Sequence, residues 1–316
     1  MSDEVNPQTS PFRLLPEGCV AHIISLTSPK DACWVAAVSR GFKSAADSDT
    51  VWDRFLPPKI VSRASSPLAF SSKKELFLSL RDSALLLDGG KLVSLFSFPF
   101  YFYCVFSVLL LELCCFSLTK SGENWYLMSA KALQIGGIDN PQHWEWTSHS
   151  ESSFAEVAKL RSIDRLVIRG VMPSRMLSPN TRYFAWLKYV FTVVDDGLDV
   201  PSKSSIKFVK KDGTVTEGET NTVYLVEPRN RGHDGRISWA LYDGWYGIEL
   251  GEFVIGEGDN FDIHFEVSET ERLNKKKGLI IEGIEISPIQ RCEKLQLDAF
   301  VSKFLGCCTS EEGLNT

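Results

Sequence analysis

The chain has 316 residues, of which 44% are hydrophobic and 23% are charged, so it is long enough for about two domains of roughly 100–200 residues. A net charge of −6 and an isoelectric point near 5.5 argue against a broad nucleic-acid-binding surface. The most basic run, residues 275–277, is expected to be a solvated turn.

The cysteines and the first residues indicate the compartment. The eight cysteines are single or adjacent, with no CxxC pair and no histidine at metal-ligand spacing, so the sequence predicts neither a zinc site nor a disulfide framework. The stretch "MSDEVNPQTSPF" lacks the basic and apolar regions of a signal peptide. We therefore expect a cytoplasmic or nuclear protein with no cofactor and no bound metal.

Short helices are the first predicted elements, within residues 14–57. Apolar residues recur there every three or four positions, which gives each helix one apolar stripe. The stripe residues are Val20, Ile23, Ile24, Trp34, Val35 and Val38. Helices this short are unstable in isolation, so the stripes must pack against one another or against a partner.

The motifs "LLPEG", "IISLTSPKDA", "VAAVSRGF" and "VW" stand in the order and spacing of the F-box, and the region resembles that module over its whole length. The F-box recruits the Skp adaptor of SCF-type ubiquitin ligases, so the resemblance implies the Skp adaptor, and through it a cullin, as partners. The alternative is a plain helical bundle whose stripes close on each other. The resemblance assigns adaptor contact to Leu15, Pro16, Ile24, Leu26, Pro29, Val35, Val38 and Trp52.

Five further segments complete the expected organisation. Residues 1–13 are predicted to be a disordered tail, and residues 58–92 a linker rich in Pro and Ser with one helix near residues 73–80. A hydrophobic insertion follows at residues 93–116. Residues 117–290 are predicted to form a β domain, and residues 291–316 a C-terminal tail.

The hydrophobic insertion, "VSLFSFPFYFYCVFSVLLLELCCF", carries one charge, and Phe, Leu, Ser, Cys, Tyr and Pro make up 20 of its 24 residues. Those six types share pyrimidine-rich codons, and Val93-Ser94 is what a splice-donor consensus encodes in frame. Removing the insertion leaves "LLLDGGKLSLTKSGENWYL". Our interpretation is a retained intron or a gene-model error that is translated in frame. A membrane span, for which about 20 apolar residues suffice, and a buried insertion are the alternatives.

Residues 117–290 have the pattern of an antiparallel β domain. Short runs rich in β-branched and aromatic residues, such as "RLVIRGVMP" and "NTVYLVEP", are separated by Gly, Asp, Asn and Pro. In "NFDIHFEV", Phe261, Ile263 and Phe265 face one side and the polar residues between them face the other. We therefore predict an α+β multidomain protein, in which a small three-helix unit precedes an all-β sandwich or jelly roll.

The β region also resembles a known family, the plant phloem lectins (phloem protein 2). The motifs that carry the resemblance are "YLMSAKALQI", "DNPQHWEW", "FAEVAKLRSIDRLVIRG", "DGWYGIELGEF" and "KGLIIEGIEISP". The resemblance implies binding of N-acetylglucosamine oligomers and N-glycan cores. It makes Trp144 the first choice as the aromatic platform and Trp146 the second, with Asn260 and Glu266 as hydrogen-bond acceptors.

Two features qualify that sugar site. In a β domain with several Trp residues, one of the two in "HWEW" is expected to lie in the core. The chain also departs from the sugar-binding members at two places: Gly136-Gly137 stands where they have a Trp, and Gly247 stands where many have an acidic residue.

The motifs together predict a receptor rather than an enzyme. The sequence contains no GxSxG, GxGxxG, P-loop or HExxH motif. We therefore expect a non-catalytic substrate-recognition subunit of an SCF-type ligase, whose lectin-like sandwich binds a glycoprotein or protein target. The alternatives are a stress- or defence-related lectin without a ligase role, and a sandwich that binds protein without sugar.

Overall fold

The computed structural model describes residues 15–57, 70–82, 85–87, 114–119, 122–228, 234–241 and 243–289. A helical unit is followed by two β-sheets that pack face to face, which confirms the predicted α+β fold. The helices are α1 (Glu17–Ser25), α2 (Pro29–Ala36), α3 (Arg40–Asp47), α4 (Asp49–Phe55) and α5 (Lys73–Asp82).

Local sequence determines where the first helices begin. Ser28 precedes α2, and its hydroxyl accepts a hydrogen bond from the Asp31 amide at 3.1 Å, while Pro29 occupies the first helical position. Ser39 caps α3 in the same way, with its hydroxyl 3.2 Å from the Phe42 amide. These caps satisfy amide groups that a short helix otherwise leaves without partners.

Trp52 is the centre of the helical unit. Its side chain is 1% exposed, and its indole N–H donates to the Ala46 carbonyl at 2.7 Å. Its ring lies 5.2 Å from that of Phe77 on α5. The helix that the sequence placed in the linker is therefore part of the core of the helical unit.

The strands of the sandwich follow in chain order. They are β1 (Leu85–Leu87), β2 (Cys114–Leu118), β3 (Asn124–Ser129), β4 (Gln134–Ile135), β5 (Trp144–Thr147), β6 (Val157–Leu160), β7 (Leu166–Pro173), β8 (Thr181–Asp196), β9 (Ser202–Lys210), β10 (Val215–Tyr224), β11 (Arg236–Ile237), β12 (Trp239–Ala240), β13 (Tyr246–Ile255), β14 (Phe261–Glu269) and β15 (Lys277–Pro288).

Over the described residues, these strands form two sheets. The first has the order β1-β2-β3-β15-β8-β13-β12, with β6 also paired to β15 and β5 paired to β6. The second has the order β11-β10-β9-β14-β7-β4. The alternation predicted for β14 is present, because Ile263 and Phe265 are buried between the sheets while Glu266 faces away from the core.

A β-bulge shapes the centre of the first sheet. The pairing of β15 with β8 shifts register between Ile281 and Gly283, so Glu282 is the extra residue. Gly283 is required there, since a Cβ atom would lie 1.8 Å from the carbonyl oxygen of Met128 on β3. The bulge turns the Glu282 carboxylate toward Lys188 on β8, at 2.9 Å.

The helical unit and the sandwich share one apolar core. Phe77 and Leu80 of α5 belong to the same buried cluster as Phe116 of β2 and Tyr126 of β3. The Ser117 hydroxyl on β2 donates to the carbonyl of Leu80 at 3.0 Å. The two parts are therefore joined by packed side chains as well as by the chain itself.

The hydrophobic insertion falls mostly outside the described residues. Its last three residues, 114–116, lie in β2, where Phe116 pairs with Tyr126 and is fully buried. Residues 93–113 are not described, and the interpretation of the insertion as an intron stays a prediction. Among the helices that are described, none is both long and apolar enough to cross a membrane.

Residues 275–277 do not form the solvated turn that their charge predicts. Lys276 is 1% exposed and forms an ion pair with the equally buried Glu269. Its ammonium group also donates to the carbonyls of Asp164, at 2.8 Å, and Arg272, at 3.0 Å. A buried charge is tolerated when it is paired and hydrogen-bonded in this way, so this lysine holds the β14–β15 turn.

Candidate functional site

The helical unit exposes a set of large apolar side chains, which we call the apolar helix surface. Its members are Leu15, Ile23, Leu26, Trp34 and Val38. Leu26 is 58% exposed and Val38 69%, while the core beneath them is already closed by Trp52. The apolar stripes are therefore not all buried against one another. Exposed apolar side chains of this kind indicate a surface that binds a partner protein.

Not every residue assigned to the adaptor lies on this surface. Leu15, Pro16, Leu26 and Val38 are exposed, and Val35 is half-buried. Three others are buried within the chain: Ile24, Pro29 and Trp52. In this structure they pack beneath the exposed residues and are not available for contact with the adaptor.

Two residues of the predicted apolar stripes are also exposed, although the resemblance did not assign them to adaptor contact. Ile23 is 45% exposed, and Trp34 is 66% exposed with the Lys30 ammonium group 4.8 Å from its ring centroid. The sequence signal for both was their place in the predicted apolar stripes, which had to pack against one another or against a partner.

The tryptophan pair on β5 differs from the predicted ranking. Trp144, the first choice as a sugar platform, is 2% exposed, and its indole N–H donates to the carbonyl of Gly136 at 3.0 Å. Trp146 is 36% exposed. Residues two apart share one face of a strand, so strand alternation does not separate them. Trp144 is covered by the chain around Gly136, and it acts as a core residue.

Trp146 is the exposed aromatic side chain of this region. It pairs with Ala158 on β6. The Lys131 ammonium group lies 5.4 Å from the ring centroid and 2.5 Å from the Glu156 carboxylate. An aromatic ring beside a cation and a carboxylate offers both an apolar face and polar partners to a ligand.

The two predicted acceptors lie elsewhere in the fold. Asn260 is exposed just before β14, and Glu266 lies within β14. The Glu266 carboxylate accepts a hydrogen bond from Arg169 on the neighbouring β7, at 2.6 Å. Glu266 belongs to the second sheet and Asn260 directly precedes a strand of that sheet, whereas Trp144 and Trp146 belong to the first. The structure therefore does not join the four predicted residues into one site.

A buried polar network on the first sheet escaped the sequence reasoning altogether. Lys188 is 5% exposed, and its ammonium group lies 2.7 Å from Asp243 and 2.9 Å from Glu282. Burial alone lowers the pKa of Lys188, but the two carboxylates outweigh it and raise that pKa above its ordinary value. Glu282 also accepts a hydrogen bond from the Ser153 amide at 2.7 Å. This network fastens the segment before β6 to the sheet.

Within the ranges that the structure describes, no group of three or more His, Cys, Asp or Glu side chains is placed to hold a metal ion.

Comparison with protein families covers both parts of the chain. The model described as "F-box domain" matches residues 12–54, and the model described as "Phloem protein 2" matches residues 123–288. The chain belongs to the phloem protein 2 family.

Relatives from Arabidopsis thaliana have the same two parts. The F-box protein PP2-B10 is 38% identical, over 90% of this chain and 96% of its own length. The F-box protein PP2-B13 is 35% identical, over 87% of this chain and 98% of its own length. Because the identity extends over nearly the whole of each chain, this phloem protein 2 member and these relatives share the same order of an F-box followed by a sandwich.

Solved structures give a more distant likeness. The C-terminal family 22 carbohydrate-binding module of Clostridium thermocellum Xyn10B is 14% identical with a TM-score of 0.29, and the match covers 51% of this chain and 87% of the module. The xylan-binding module of Paenibacillus barcinonensis Xyn10C is 9% identical with a TM-score of 0.27, covering 54% and 88%.

Gly247, which the resemblance places where many sugar-binding members have an acid, lies in β13 against Leu241 and Trp186. A Cβ atom on Gly247 would lie 3.4 Å from the side chains of both Leu241 and Trp186. Trp186 itself is 8% exposed. These separations are ordinary van der Waals contacts, so a Cβ atom fits at position 247, and the glycine itself presents no carboxylate there.

Proposed function

We propose that this F-box protein is a substrate-recognition subunit of an SCF-type ubiquitin ligase that acts in the cytoplasm or nucleus. The observation that carries the proposal is the apolar helix surface, since Leu26, Trp34 and Val38 are exposed on helices whose own core is complete. A Skp adaptor that covers these side chains would remove that apolar area from water, which is the main favourable contribution to association. No residue of the chain is assigned a catalytic role.

Co-purification with a plant Skp adaptor tests the ligase role. The double variant Leu26→Asp/Val38→Asp places charges on the apolar helix surface, and we expect it to lose the adaptor while the circular dichroism spectrum stays unchanged. Leu273→Asp is the matched control, because Leu273 is 65% exposed on the β14–β15 turn of the sandwich. Undiminished recovery of the adaptor with the double variant would refute the proposed surface.

For the sandwich, we propose that Trp146 is the platform for N-acetylglucosamine-containing glycans. Its exposed ring supplies the apolar face, and Glu156 beside Lys131 supplies an acceptor for sugar hydroxyl groups. Trp144 has no part in this contact because it is buried.

Calorimetric titration of the adaptor-bound full chain with chitotriose and with an N-glycan core tests the glycan role. Saturable heat that disappears in Trp146→Ala is the expected result. Trp239→Ala is the control, since Trp239 is another exposed tryptophan, at 42%, and its removal should leave the heat unchanged.

The second candidate is a sandwich that recognises protein without sugar. The observation that favours it is Gly247, which supplies no carboxylate where the resemblance expects an acid in many sugar-binding members. Absence of heat from a folded, adaptor-bound chain would select this candidate and reject Trp146 as a glycan platform.

A further inference from the structure

A cleft of about 720 Å³ lies where the helical unit meets the sandwich. Arg54 and Phe55, at the end of α4, form one wall. Residues 174–179 before β8 and the turn between β13 and β14 contribute the other walls. Binding sites for small ligands and short segments have volumes of this order and occur preferentially between domains. Neither Trp146 nor the apolar helix surface lines the cleft, so it is separate from both surfaces proposed above.

Most polar groups of the cleft walls already have partners within the chain. The Asn124 side-chain amide donates to the Met176 carbonyl at 2.8 Å. The Ser174 hydroxyl donates to the Asp259 carbonyl at 3.1 Å, and the Asp259 carboxylate accepts the Gly256 amide at 2.6 Å. These bonds already order the sandwich side of the cleft. Binding of a ligand there therefore costs little further conformational entropy.

Two guanidinium groups in the cleft are different. Arg54 and Arg175 both line it and are both exposed. Among the described residues, neither side chain forms a salt bridge or a hydrogen bond to a carboxylate, whereas Asp259 is engaged by the Gly256 amide. The cleft therefore carries two guanidinium charges against the one carboxylate of Asp259, beside the apolar side chains of Phe55 and Met176.

We propose that this cleft binds an anionic peptide segment of a target protein, whose phosphate or carboxylate groups contact Arg54 and Arg175. Guanidinium groups bind phosphate and carboxylate oxygens in a bidentate geometry, which makes paired arginines suited to such groups. Phe55 and Met176 provide contact for the apolar side chains that flank the anion. A target bound here contacts the helical unit and the sandwich at once.

Fluorescence polarisation with the adaptor-bound full chain tests this site. The probes are arrayed short peptides with a central phosphoserine, and the same peptides with Glu or with Ser at that position. We expect a subset of the phosphoserine or Glu peptides to bind, the matching Ser peptides to bind at least about tenfold more weakly, and the affinity to fall with added salt. Comparison of the affinities of the phosphoserine and Glu peptides then shows whether the cleft prefers phosphate or carboxylate.

The double variant Arg54→Gln/Arg175→Gln should lose about tenfold or more of that affinity. Arg165→Gln, which removes an exposed arginine outside the cleft, is the matched control and should bind as the parent does. Retention of the adaptor by the double variant verifies its fold and separates a failure here from a failure of the ligase role. Equal binding of Ser and anionic peptides, or undiminished binding by the double variant, would overturn the proposal.

Discussion

The buried ion pair of Lys276 and Glu269 is expected to have a large effect on the free energy of unfolding. Both side chains are 1% exposed, so removal of the lysine leaves a carboxylate in the interior without its partner. We expect Lys276→Met to lower the free energy of unfolding by about 3–5 kcal/mol. The measurement is urea denaturation followed by tryptophan fluorescence.

The control for this pair is the double variant Lys276→Met/Glu269→Leu. Replacement of both partners by apolar groups of similar size should recover most of the loss, because no charge then remains buried. A double variant as unstable as Lys276→Met alone would mean that the lysine acts through its bonds to backbone carbonyls instead.

Tyr183 gives the folded state a dependence on alkaline pH. Burial raises the pKa of this phenol to about 12, against about 10 in an unfolded chain. The folded state therefore holds the proton more tightly, so stability is unaffected below about pH 10 and falls by up to roughly 2–3 kcal/mol as the pH rises to about 12.

The Tyr183→Phe variant should show a shallower loss of stability across that pH range. At neutral pH it should be less stable than the parent, since the Ser178 amide now bonds to the Tyr183 oxygen at 3.0 Å. Denaturation midpoints at pH 8, 10 and 11 measure both effects. If the stability of the variant fell as steeply over the same alkaline range as that of the parent, the loss would come from other groups. Tyr189 is the first to examine, because burial also raises its pKa.

At the scale of elements, β2 bears on the hydrophobic insertion. Phe116 is a fully buried residue of β2, and the next residues, Ser117 and Leu118, also pair with β3. Deletion of residues 93–116 brings Leu92 directly before Ser117. We expect the deleted chain to fold with Leu92 in the place of Phe116, because both are apolar residues that suit a buried position.

The measurement is expression of the full and the deleted chains with the adaptor, followed by size-exclusion chromatography and thermal unfolding. The deleted chain should give more soluble complex, since an apolar stretch of this length promotes aggregation. A control deletion of equal length within residues 124–160, which removes described strands, should abolish folding. Loss of folding in the first deletion as well would reject the intron interpretation.

The elements also show what the sequence can and cannot specify. The helix near residues 73–80 and the alternation in β14 depend on neighbouring residues, so they were predicted correctly. The burial of Trp144 involves the turn at Gly136, eight residues earlier, and the burial of Lys276 involves Glu269 and the carbonyl of Asp164, 112 residues away. These contacts depend on how loops and strands meet in three dimensions, which the alternation within one strand does not specify.

On the scale of the whole molecule, the shared core leads us to expect that the helical unit and the sandwich unfold as one cooperative unit. Phe77 and Leu80 contact both, and Trp52 packs directly on Phe77. We expect Trp52→Ala to cost about 3–5 kcal/mol and to lower the protection of sandwich amides as well as helical ones. Hydrogen exchange read out by mass spectrometry measures both regions in one sample.

Leu26→Ala is the control for this experiment, because Leu26 is exposed and its truncation should leave protection throughout the chain unchanged. If Trp52→Ala released only helical amides while β8 and β15 kept their full protection, the two parts would unfold independently.

The packing of α5 against β2 has a consequence for the proposed ligase. Because Leu80 bonds to Ser117 and shares a core with Phe116, the sandwich has little freedom to rotate relative to the F-box. A captured target would then meet the ubiquitin-charged enzyme from one direction only. The position of a lysine on the target's surface, more than the number of its lysines, would decide which one is modified.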